Sequence, residues 1–149
     1  MTKARYAQVS LEDKPFYHCY TRCVRRAFLC GNDRETGNDF EHRKQWIVMR
    51  MKQLASVFCL DICAYAVMSN HYHVVLRVDT KEAEALSVET VLKRWGSLFS
   101  GNMLVNRYLS ESQCDMADAD KDKVREIAQE WRHRLMDISW FMRYCPHGK

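Results

Sequence analysis

Apolar and polar positions alternate most cleanly in two stretches. In "FYHCYTRCV", residues 16–24, Tyr17, Cys19, Thr21 and Cys23 share one face of a strand, and Phe16, His18, Tyr20 and Arg22 share the other. In "HYHVVLRV", residues 71–78, Tyr72, Val74, Leu76 and Val78 form an unbroken apolar face, which leaves His71, His73, Val75 and Arg77 opposite. "LDICAYAVM" before it reads as a further strand, joined through Ser69-Asn70 by a short hairpin connection. Helical spacing governs the remainder. Ile47, Met51, Leu54 and Phe58 predict a helix from Glu41 to about Phe58. Val88, Val91, Leu92 and Trp95 predict a second helix, entered near Ser87, with Thr90 completing only half a capping box. Val124, Ala128, Trp131, Leu135, Ile138 and Met142 stripe a third from about Asp120, stopped by Pro146 and Gly148. "CGNDRETGND" and "RYLSESQCDMADAD" read as polar connectors.

The order strand, helix, strand, strand, helix, helix predicts an α+β fold. It is most of a ferredoxin-like split βαβ plait with an antiparallel sheet, incomplete because the closing strand is missing. An open sheet edge of that kind favours marginal stability or association. The 149 residues are one domain's worth, so a single domain over 1–149 is expected. No apolar run approaches the length of a membrane span, and "MTKARYAQVSLEDK" has no signal-peptide core, so a cytoplasmic protein without a membrane partner is expected.

In that compartment the seven cysteines stay reduced. Cys19 with Cys23, and Cys59 with Cys63, have a zinc-like spacing. In a strand, however, positions four apart lie about 13 Å from each other, too far to share one ion. Small core residues are the better reading. The net charge of +4 permits a nucleic-acid partner without requiring one. Arg22, Arg25 and Arg26 cluster at and just beyond the end of the first strand, and charge alone makes them a solvated surface.

The two histidines are the chemical question. A histidine is rarely buried without partners for its ring nitrogens, and a lone one is most often a satisfied core residue. Here two of them, about 6–7 Å apart along a strand, occupy the face that a plait leaves uncovered. That arrangement suits one divalent ion held by His71 and His73, with water and one further ligand. No glutamate follows within residues 75–78, which excludes the dioxygenase form of the motif, and a metallohydrolase barrel needs a chain of about 250 residues.

"FYHCYTRCVRRAFLCG", "DICAYAVMSNHYHVVLRVD" and "DISWFMR" resemble the REP-associated branch of the single-tyrosine transposases in the HUH superfamily. The superfamily motif is two histidines around a bulky hydrophobic residue, here His71-Tyr72-His73, and the likeness runs from about Tyr17 to Arg143. The resemblance implies DNA transposition. Mg²⁺ or Mn²⁺ on the histidine pair would polarise a scissile phosphate of single-stranded or hairpin DNA, and a tyrosine would attack to leave a 5′-phosphotyrosine. It also implies that Arg22, Arg25 and Arg26 grip phosphates and that exposed aromatics stack on unpaired bases. Members of the wider family often act as dimers, so a homodimer is a further expectation.

The family's nucleophile lies on a helix beyond "ISWFMR" and the closing strand, together with an additional metal ligand. This chain departs there into "YCPHGK", so a truncated transposase without its nucleophile is expected. Tyr144 is the tempting substitute, but the family places that position in a connecting helix. Tyr72 is turned away from both histidines by strand alternation. Beside the enzyme reading stand a non-catalytic DNA-binding remnant and a metal-free structural plait.

Overall fold

The computed structural model describes residues 15–22, 30–32, 37, 39 and 41–146. β1 (Phe16–Arg22), β2 (Leu60–Val67) and β3 (His71–Val78) form one antiparallel sheet in the order β1-β3-β2. Both outer strands run antiparallel to β3 and so parallel to each other, with α1 (His42–Ala55) as their crossover. The architecture is α+β. Residues 23 and 24, expected to extend β1, lie outside the described residues.

The alternation of β3 is realised residue by residue. Tyr72, Val74, Leu76 and Val78 are buried, and each such side chain contributes about 1.5–3 kcal/mol through the apolar surface it removes from water. Cys19 faces Val74 from β1, and Ile62 faces Leu76 from β2 on the same side. Helices cover this side. Ile47, Met51 and Leu54 bring in α1, and Phe58 meets Phe141 edge-on with ring centroids 5.6 Å apart.

β2 carries a bulge between Ile62 and Ala64, so that Cys63 is an extra residue without a partner of its own on β3. The alternation therefore resets. Ile62 and Val67 both face the core side, although strict alternation would put them on opposite faces, and the small residues Ala64 and Ala66 lie across from Val75 and His73. The hairpin turns at Ser69-Asn70 as expected, closed by the Met68 amide donating to the His71 carbonyl.

Two helices occupy segments that show little apolar periodicity. α2 (Thr80–Ala85) starts directly after β3, its Asp79 side chain accepting from the Glu82 amide. Asp79 followed by Glu82 is the signature of a helix start that periodicity alone passes over. α3 (Val88–Leu98) is capped by Ser87 as expected, with Thr90 donating its amide. α4 (Met103–Tyr108) occupies the stretch just ahead of the expected polar connector and runs into its first two residues, and a short 3-10 turn at Glu111–Gln113 interrupts the connector itself.

The third expected helix is two helices, α5 (Asp118–Leu135) and α6 (Ile138–Tyr144). Asp137 causes the break: its carboxylate accepts from the amides of Ser139 and Trp140, starting a new helix. The apolar stripe runs through the break because both helices bury into the same core. No helix among the described residues is long and apolar enough to cross a membrane.

Candidate functional site on the open sheet face

The side of the sheet turned away from the helices carries His18, Tyr20 and Arg22 from β1 and His71, His73, Val75 and Arg77 from β3. The pairing register sets these side by side, Tyr20 opposite His73 and Arg22 opposite His71. His71 and His73 are half-buried, with ring centroids 5.2 Å apart and planes nearly perpendicular. The tyrosine ring spans both imidazoles, 5.6 Å from His71 and 5.1 Å from His73.

A third histidine joins them. His18 Nε2 lies 2.9 Å from His73 Nδ1, while the two ring centroids are 5.0 Å apart and the planes differ by 16°. The nitrogens are far closer than the centroids, so the rings meet edge to edge through a shared hydrogen. On the other side, Asn70 Oδ1 lies 2.6 Å from His71 Nδ1. Period-two alternation already put His18 and Tyr20 together on one face of the first strand, without saying which side of the sheet that face joins. What it could not supply was the strand pairing that brings residues 55 positions apart into contact.

Charge divides this face in two. Arg77 donates to Asp61 at 2.6 Å and to Asp79 at 3.1 Å, and its pKa is raised, chiefly by the hydrogen bond and charge of Asp61. That end is already neutralised. Arg22, at the histidine end, is exposed and forms no ion pair among the described residues. Arg25 and Arg26 lie outside the described residues.

Among the described residues no three His, Cys, Asp or Glu side chains are grouped to hold a metal ion. His71 and His73 offer two imidazoles, a donor set that suits Mn²⁺ better than the oxygen-seeking Mg²⁺ and leaves the other coordination positions to water or phosphate oxygens. Cys59 and Cys63 do not converge. Cys59 is in the core and Cys63 is exposed.

Tyr144 sits in the helical layer. Its ring packs against Phe99 at 4.5 Å and against Trp140 at 6.0 Å, and its carbonyl accepts from Arg50 of α1. Tyr72 is fully buried on the core side of β3. Compared with protein-family models, with curated proteins and with solved structures, the chain matches none.

Proposed function

We propose that this chain is a single-tyrosine-transposase-like protein that binds single-stranded or hairpin DNA on the open sheet face, with a divalent ion on His71 and His73. The carrying observation is that Arg22 lies directly across from His71, with Tyr20 spanning both imidazoles. A phosphate between them would meet a fixed cation on one side and the histidine pair on the other. Exposed Tyr20 and Phe16 offer aromatic surface to unpaired bases. Bound there, Mn²⁺ or Mg²⁺ would supply Lewis-acid polarisation of the phosphodiester.

The same reading makes the sheet and its helices a ferredoxin-like plait. The parallel pair β1 and β2, split by β3 and connected by α1, supports it. Tyr144, held by Phe99 and Trp140 among the helices, favours the non-catalytic form of the reading, in which the chain binds DNA without cutting it.

A labelled hairpin oligonucleotide, titrated with and without Mn²⁺, tests this. Mn²⁺ should tighten binding to the parent protein and leave the His71→Ala/His73→Ala double variant unaffected. Equal metal response in both proteins would remove the site, and absence of DNA binding by the parent would remove the function.

A further inference from the structure

A neutral imidazole offers one N–H and one lone pair, so a histidine binds a metal only through the nitrogen that lacks the hydrogen. Which nitrogen that is depends on what the other one touches. Asn70 and His18 touch the Nδ1 atoms of the two candidate ligands, one each.

Resting on the metal-binding reading above, we propose that Asn70 and His18 are positioning residues that fix the tautomers of His71 and His73, so that both present Nε2 as the free donor. For His71 the geometry decides. The Asn70 carbonyl oxygen only accepts, so at 2.6 Å the hydrogen sits on His71 Nδ1 and the lone pair on Nε2. Asn70 is itself held in place. It occupies the two-residue turn between β2 and β3, closed by Met68 to His71. Two hydrogen bonds from Cys30 secure the same turn, its amide donating to the Ser69 carbonyl and its thiol to the Met68 carbonyl.

For His73 the partner is an imidazole, which either donates or accepts. When His73 Nε2 is engaged, its hydrogen must be on Nδ1, and His18 Nε2 accepts it across 2.9 Å. His18 then carries its own hydrogen on Nδ1. The consequence is a matched pair of Nε2 donors from two adjacent ligands on one strand. One is preset by an amide in the turn, the other selected by a histidine on the neighbouring strand.

Long-range ¹H–¹⁵N correlation spectra of the imidazoles read this directly in the metal-free protein, at a pH well above the usual histidine range so that all rings are neutral. His71 should appear as the Nδ1–H form. Asn70→Ala should shift it towards the Nε2–H form, and Asn70→Asp, which retains an accepting oxygen, should preserve Nδ1–H. Mn²⁺ affinity, measured by water-proton relaxation, should fall about 10–100-fold in Asn70→Ala and in His18→Ala and less in Asn70→Asp. Circular dichroism confirms that each variant is folded.

An Nε2–H spectrum for His71 in the parent, or an unchanged tautomer in folded Asn70→Ala, would overturn the role of Asn70. Undiminished Mn²⁺ affinity in His18→Ala would overturn that of His18. A parent that binds no Mn²⁺ would overturn the metal-binding reading and the purpose assigned to both residues, while the metal-free spectrum still reports separately whether Asn70 sets the tautomer.

Discussion

The ring of Tyr144, near the end of α6, lies 4.5 Å from that of Phe99, just beyond α3, and both belong to the layer that covers the buried face of the sheet. A hydroxyl used there as a nucleophile would have to leave this packing and pass to the other side of β3. In-line attack needs the nucleophile already near bonding distance of phosphorus. Incubation with Mn²⁺ and a labelled hairpin should therefore give no denaturant-resistant protein–DNA adduct. An adduct that disappears in Tyr144→Phe would contradict this placement, and one that disappears in Tyr20→Phe would put the nucleophile on the open face.

Arg22 separates specific phosphate contact from general surface charge. Each phosphate neutralised on a single strand contributes about 0.7 to the slope of log affinity against log salt. Arg22→Ala should weaken hairpin binding and flatten that slope by about this amount. Arg77→Ala should change the slope far less, because Arg77 is already engaged by Asp61 and Asp79. Equal slopes for the parent and Arg22→Ala would mean that Arg22 does not meet a phosphate.

Asp137 should show its capping role in thermal unfolding. Its carboxylate accepts from two amides at the start of α6, which buries Ile138, Phe141 and Met142. Asp137→Ala should cost about 1 kcal/mol, and Asp137→Asn much less because the amide oxygen still accepts. Equal losses in the two variants would show that charge, rather than the cap hydrogen bond, matters at this position.

Cys59 predicts an alkaline dependence. Its thiol is pushed up from 9.0 to about 11, first by burial and then by the charge of Glu82, against the opposing pull of Arg94. The folded chain therefore holds this proton more tightly than the unfolded chain. The resulting stabilisation is complete below about pH 9 and is lost as the pH rises towards about 11. Urea unfolding across that range should show the stability gap between the parent and Cys59→Ala narrowing. A constant gap would mean that the thiol titrates alike in both states.

The histidine strand was legible in the sequence because its signal is local. Alternation alone separates Tyr72, Val74, Leu76 and Val78 from His71 and His73, and the burial of β3 follows it at every residue. The contact between His18 and His73 was not legible, since it depends on the register of β1 against β3 rather than on spacing within either strand. Periodicity also ran through Asp137, because two helices sharing one core keep a common apolar stripe across a capped break. α2 escaped it for the opposite reason. Of its six residues only Ala83 is buried, too little for a stripe, so Asp79 and Glu82 were the only local cue.

The unpaired Cys63 in β2 works as a phase shift. Were Cys63 paired with Val75 instead of bulged out, the rest of the strand would turn over, so that Tyr65 and Val67 would exchange faces with Ala64 and Ala66. His73 would then have a branched or aromatic neighbour where it now has a methyl group, and the core would lose volume against Tyr72. Because the bulge absorbs the extra residue, the strand beside the histidines presents only the methyl groups of Ala64 and Ala66 to the open face.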